Sequence, residues 1–229
     1  MSNTTIDPAV KDRLRDVARH GFRSGLGSPN PGEMCVEAAI CFALGEPHGD
    51  NPSCVAKADR NYAVRINDAK WPSDQARAEA LLPLALASLG TAGTDRGPWV
   101  RRLDEGTTRR IVPIWLRYAA DKLAEKFAEH ATALRDVADR CATEGTVEAA
   151  TAAREVANRA WNAYAATAAA AASAAAAADA AAYAAYAAAD AAYAAYAAAA
   201  AAADETRYLA LRESVAVALE AYAAEGRLP

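Results

Sequence analysis

The sequence lacks the main features that mark nucleic-acid-binding, membrane-spanning and secreted proteins. Its 25 Lys and Arg residues are outnumbered by 29 Asp and Glu residues, so it has no positive excess for a phosphate backbone. The alanine-rich tract from about Ala165 to Ala203 contains no Leu, Ile, Val or Phe, and two aspartates interrupt it. The N-terminal residues MSNTTIDPAV contain no apolar signal core. We therefore expect a cytoplasmic protein without nucleic-acid or membrane partners.

The alternation of apolar and polar residues that is typical of strands is almost absent, and most segments have helical spacing. Val10, Leu14 and Val17, for example, lie on one face of a helix that begins near Pro8. The fold class predicted is all-α. The predicted helices cover residues 7–20, 34–44, 51–62, 73–88 and 113–140, with loops at 21–33 and 89–108.

Between Thr146 and Glu225 the chain has neither glycine nor proline and is dominated by alanine, the best helix former. We predict a compact helical domain over residues 1–145 and an alanine-rich helical arm over residues 146–229. Either one long helix or a helical hairpin satisfies this pattern. A simple spacer helix is an alternative interpretation of the tract.

Large side chains recur in the arm at positions that share one side of a continuous helix. Two approximate repeats of eleven residues, DAAAYAAYAAA and DAAYAAYAAAA, begin at Asp179 and Asp190. We predict that this stripe mediates self-association, because the alanines around it allow close helix contact. The predicted interface residues are Trp161, Tyr164, Tyr183, Tyr186, Tyr193, Tyr196 and Tyr208.

The stretch MCVEAAICFALGEPHGDNPSCV, residues 34–55, concentrates chemically active side chains. Cys35 lies at a predicted helix start, where the helix dipole favours a thiolate, so it is a candidate nucleophile. A cysteine before small residues and ALGEP resembles the nucleophile helix of transglutaminase-like cysteine enzymes, which also need a histidine in contact. The four residues Cys35, Cys41, His48 and Cys54 lack the close cysteine pair of metal sites. We expect neither a metal ion nor a cofactor, and we interpret the stretch as two packed helices and a turn.

The loop at 45–51 and a Trp beside Arg and carboxylates form the best candidate binding site. A tryptophan next to charged groups can stack on a flat, nucleotide-like ligand and hydrogen-bond to it. The predicted ligand-binding residues are Glu37, His48, Asp50, Arg65, Asp68 and Trp71.

Residues 30–90, which include MCVEAAICFALGEPHGDNPSCV and RINDAKWPSDQARAEALLPLALASLGT, resemble an alanine-rich group of uncharacterised bacterial and phage proteins. The segment RCATEGTVEAATAAREVANRAWNAYAATAAAAA resembles the helical hairpins of a putative immunity family of bacterial polymorphic toxin systems. The second resemblance implies a toxin-neutralising role.

We interpret the chain as a non-catalytic helical protein that sequesters a protein or small-molecule partner in bacterial or phage conflict. Two alternatives stay open. One is a cysteine-dependent enzyme centred on Cys35, and the other is a structural spacer or assembly protein.

Overall fold

The computed structural model describes residues 6–164 and 204–228. These residues form helices joined by loops, with one isolated bridge between Gly27 and Met34 and no longer strand among them. The prediction of an all-α fold is confirmed. The helices are α1 (Pro8–Ala18), α2 (Val36–Leu44), α3 (Lys57–Asp68), α4 (Asp74–Ser88), α5 (Gly97–Gly106), a π-helix (Thr107–Ile111), α6 (Val112–Leu123), α7 (Ala128–Glu144), α8 (Val147–Tyr164) and α9 (Asp204–Ala223).

Local signals set the ends of several helices. The Asp7 carboxylate accepts a hydrogen bond from the Ala9 N–H before α1, and Ser73 Oγ accepts one from the Ala76 N–H before α4. These side chains satisfy donors that the first turn of a helix leaves open. Gly45 and Gly145 end α2 and α7 in the left-handed conformation that glycine adopts at low cost. The predicted bounds of α1, α2 and α4 are close to the observed ones.

The helix predicted over 51–62 is misplaced, since α3 begins at Lys57. Contacts from distant residues hold the preceding segment out of a helix. Glu46 accepts a hydrogen bond from the Ser53 N–H, and Thr91 Oγ1 accepts one from the Ala56 N–H at 2.8 Å. Asn51 is therefore not the N-cap of a helix.

The loop predicted over 89–108 is also wrong in its second half, because α5 and the π-helix occupy residues 97–111. Asp95 starts α5 by accepting a hydrogen bond from the Gly97 N–H at 2.9 Å. Trp99 and Leu103 then give the helix a buried side. The helix predicted over 113–140 is interrupted at residues 124–127, between α6 and α7.

The chain divides into two compact units. The first contains the residues up to Trp99 together with those from Ala218 onward, and the second contains residues 100–217. In the first unit, α2 packs against α1, α3 and α4, and nearly all of its side chains are buried. In the second, α6, α7 and α8 pack around a core that includes Trp115, Leu134 and many alanines.

Helix α8 packs on α6 and α7, so the start of the predicted arm shares a core with residues before Gly145. The alanine-rich tract lies outside the described residues, and Tyr183, Tyr186, Tyr193 and Tyr196 lie in it. The side chains of Trp161 and Tyr164 lie outside the description too. The domain boundary and the single long helix stay predictions. No helix in the described ranges is both long and apolar enough to cross a bilayer.

Candidate ligand-binding cavity

Cys35 has a structural role at the start of α2. Its sulfur accepts a hydrogen bond from the Ala38 N–H at 3.3 Å, as a serine hydroxyl does at a helix N-cap. Only 3% of the residue is exposed, and burial raises the pKa of the thiol to about 11. The hydrogen bond from Ala38 acts against that rise but does not cancel it. The group is a neutral thiol near pH 7, which is the unreactive form.

Cys41, His48 and Cys54, the other candidates within residues 34–55, do not form a metal-binding group with Cys35. The His48 ring nitrogen lies 3.2 Å from the Gly27 carbonyl oxygen, and burial raises the pKa of Cys41 to about 12. Within residues 6–164 and 204–228, no group of three or more His, Cys, Asp or Glu side chains is arranged to hold a metal ion.

Asp68 and Trp71 take part in packing. Asp68 Oδ1 accepts a hydrogen bond from the Gly25 N–H at 2.7 Å and so fastens the loop that follows α1. Trp71 is buried, and its Nε1–H donates to the Ile66 carbonyl at 2.8 Å. Asp50 is exposed and Arg65 is half-buried. Their role in ligand binding stays a prediction.

Glu37 is the unusual member of the predicted set. It is fully buried on α2, and neither carboxylate oxygen has a hydrogen-bond partner among the described residues. Burial raises the pKa of Glu37 to about 8, although the positive charge of Arg60 acts against the rise. A neutral carboxyl is therefore the favoured form near pH 7, because an ionised one would lie unpaired in a low-dielectric interior.

A buried ionic cluster joins α3, the loop before α5 and the end of α9. Arg96 donates to both Asp59 oxygens, at 2.8 Å and 2.7 Å, and to Glu225 Oε2 at 2.5 Å. The Tyr222 hydroxyl also donates to Asp59. Burial raises the pKa of Tyr222 well above its ordinary value, and the neighbouring Asp59 adds to the rise. Within the first unit, the cluster therefore holds the end of α9 and the residues that follow it against α3 and the loop before α5.

Aromatic rings cover this cluster on one side. The Arg96 guanidinium carbon lies 5.0 Å from the centre of the Trp99 ring and 5.2 Å from that of Tyr222. Tyr62 meets Trp99 edge to face, with ring centres 5.8 Å apart. Rings at this distance attract a cation and exclude water from it.

A cavity of about 450 Å³ lies between α1, α4 and the segment that the ionic cluster anchors. We call it the α1–α4 cavity. Its apolar wall consists of Leu82, Pro83, Leu86, Ala87 and Leu228. Gly226 and the cationic residues Lys11, Arg15 and Arg227 complete the lining.

None of the six predicted ligand-binding residues lines the α1–α4 cavity. The residues that do line it were missed because they are far apart in the sequence. The only local signals are spacings of four residues, between Lys11 and Arg15 and between Leu82 and Leu86, which place each pair on one helix side. Such spacings occur in most amphipathic helices, so they do not indicate a site by themselves.

Comparison of the chain with protein-family models, curated proteins and solved structures found no match. The two family resemblances of the sequence therefore stay predictions.

Proposed function

We propose that this protein is a non-catalytic helical binding protein that holds a small molecule in the α1–α4 cavity. The observation that carries the proposal is the cavity itself. Its volume of about 450 Å³ falls within the roughly 300–1,000 Å³ that is usual for small-molecule sites. Mostly apolar walls with a few polar groups are also typical of such sites.

The lining chemistry supports binding rather than catalysis. Among the described residues, no carboxylate, histidine, cysteine or hydroxyl side chain lines the cavity. Acid–base and nucleophilic catalysis usually draw on these groups or on a lysine activated by burial. Lys11, the lining residue with a nucleophilic nitrogen, is exposed. The narrower expectation of a toxin-neutralising role stays a prediction.

Gly226, Arg227 and Leu228, which follow α9, form one wall of the cavity. Polar contacts hold this wall in place. Arg227 donates hydrogen bonds to the carbonyls of Leu89 and Gly90, at 3.3 Å and 3.4 Å. Glu225, two residues before it, is held by Arg96. The segment that carries Arg227 is thus held by polar contacts to the backbone and to Arg96, and the apolar wall is left for a ligand.

Titration with the neutral fluorescent probe N-phenyl-1-naphthylamine tests the proposal. We expect saturable binding to the wild type at one site per chain. Leu86→Trp, which places a larger side chain in the cavity wall, should weaken binding about tenfold or more, equivalent to roughly 1.4 kcal/mol. Leu26→Trp is the matched control, because Leu26 is 45% exposed and does not line the cavity.

Circular dichroism must show that both variants keep the helical content of the wild type. Probe binding that is not saturable, or that is equally strong in Leu86→Trp and Leu26→Trp, would overturn the proposed function.

A further inference from the structure

The charge of the α1–α4 cavity is one-sided. Of the residues that the structure describes, three cationic side chains line it and no acidic one does. Lys11 and Arg15 are one helical turn apart on α1, and Arg227 approaches from the segment after α9. The chain as a whole carries a net charge of −4, so a positive cavity is a local departure from its average.

The three cations are neutralised only in part. Arg15 pairs with Asp12 at 2.8 Å, but both side chains are exposed, so water screens the pair. Arg227 lies 3.6 Å from Glu225, whose nearer partner is Arg96 at 2.5 Å. Its long hydrogen bonds to the Leu89 and Gly90 carbonyls engage neutral acceptors and leave its charge in place. Lys11 has no hydrogen bond or ion pair in the described part of the chain. Its ammonium group therefore has capacity for an added acceptor.

The apolar lining of the cavity belongs mainly to α4. Leu82, Pro83, Leu86 and the buried Ala87 line it from this helix. Pro83 has no N–H to donate to the Glu79 carbonyl, and its ring instead adds apolar area. No aromatic side chain within residues 6–164 and 204–228 lines the cavity, so those residues offer no ring for a nucleobase to stack on.

We infer that the ligand is a small amphiphilic anion, with an aliphatic body against α4 and one carboxylate or similar head group facing Lys11, Arg15 and Arg227. This inference rests on the proposed function. The cavity of about 450 Å³ lies in the lower part of the roughly 300–1,000 Å³ range of small-molecule sites, so we expect a short aliphatic body such as a decyl chain. Apolar burial supplies most of the affinity, and the cations select the head group.

Competition between ligands of matched body and different head group tests the inference. Decanoate, decanol and decyltrimethylammonium are each titrated, below their critical micelle concentrations, against protein loaded with N-phenyl-1-naphthylamine. We expect decanoate to displace the probe at about tenfold lower concentration than decanol, and the cation to be weaker than both. Added salt should reduce the advantage of decanoate, because it screens charges near the surface.

The variant Lys11→Gln tests whether the preference for an anionic head group arises in the α1–α4 cavity. This change should weaken decanoate severalfold and leave decanol unchanged. Lys57→Gln is the control, since Lys57 is an exposed lysine of the same unit that does not line the cavity. Direct calorimetric titration of decanoate into the wild type gives a readout that does not depend on the probe.

The two proposals fail in different ways. Saturable probe binding with equal displacement by decanoate and decanol would overturn the anionic ligand and leave the binding function standing. An unchanged decanoate affinity in Lys11→Gln would likewise overturn the anionic ligand and leave the binding function standing. The absence of both probe binding and decanoate heat would overturn the binding function and the ligand class together.

Discussion

Asp59 and Arg96 form a two-pronged ion pair in the interior of the first unit. Arg96 Nε and Nη2 lie 2.8 Å and 2.7 Å from the two oxygens of Asp59, and the residues are 2% and 8% exposed. Burial lowers the pKa of Arg96, but its hydrogen bonds to Asp59 and Glu225 outweigh burial and leave that pKa above its ordinary value. Each charge is stabilised by the other, because both side chains are buried and largely excluded from water.

Removing one partner of this pair should destabilise the protein strongly. We expect Asp59→Ala to lower the free energy of unfolding by about 3–5 kcal/mol, since it leaves a buried guanidinium without its main acceptor. Urea denaturation followed by circular dichroism measures the change. Arg19→Met is the control, because its pair with Asp16 is exposed and should contribute less than about 1 kcal/mol. Equal, small losses in both variants would contradict a stabilising role for the buried pair.

Glu37 should make the stability of the protein depend on pH. Burial raises its pKa from an ordinary 4.5 to about 8, so the native state binds more protons than the unfolded chain between these values. The contribution of Glu37 is therefore complete below pH 4.5 and is lost as the pH rises through about 8. Across that interval it lowers the free energy of unfolding by at most about 1.4 kcal/mol per pH unit.

Glu37→Gln should remove this slope, and the variant should exceed the wild type in stability near pH 8. Urea denaturation at several pH values between 4.5 and 9 measures both curves. Glu79→Gln serves as the control, because Glu79 is exposed and its loss should leave the slope unchanged. A Glu37→Gln curve parallel to that of the wild type would show that the buried carboxyl titrates normally.

Cys35 should react slowly with alkylating agents in the folded protein. Its sulfur is buried and its pKa is raised to about 11, so little thiolate forms at pH 7. Iodoacetamide should label the half-buried Cys54 first and Cys35 only after unfolding, as peptide mass spectrometry will show. Faster labelling of Cys35 than of Cys54 at pH 7 would instead favour the alternative of a cysteine-dependent enzyme.

The alanine-rich tract should mediate self-association. If residues 146–225 form one helix, it is about 120 Å long, and small-angle scattering should give a maximum dimension above roughly 100 Å. Replacing Tyr183, Tyr186, Tyr193 and Tyr196 by alanine should keep the helix, since alanine has the higher propensity, and weaken association. Light scattering coupled to gel filtration measures the oligomeric mass. A monomer of about 50–60 Å would favour the hairpin, and an unchanged mass in the variant would exclude the stripe as the interface.

Where a local side chain or glycine sets the end of a helix, the sequence was sufficient to predict that end. Ser73 before α4 and Gly145 after α7 act on backbone groups within their own turn, so no distant residue is needed to predict them. On α9, by contrast, the sequence predicted a stripe for self-association, and Leu211, Val215 and Tyr222 are buried within the chain itself. Tyr208, a predicted interface residue on the same helix, is half-buried.

Tertiary contacts decided the start of α3 and the composition of the candidate site. The segment before Lys57 is held by Glu46 and Thr91, which lie in other parts of the chain. The cavity, in the same way, needs Lys11, Leu86 and Arg227 to meet, and no local spacing predicts that meeting. Helix formation depends on neighbours within about four residues, and the sequence alone determined it over most of the described chain. The cavity depends on how finished helices pack, because burial and charge act between residues that only the fold brings together.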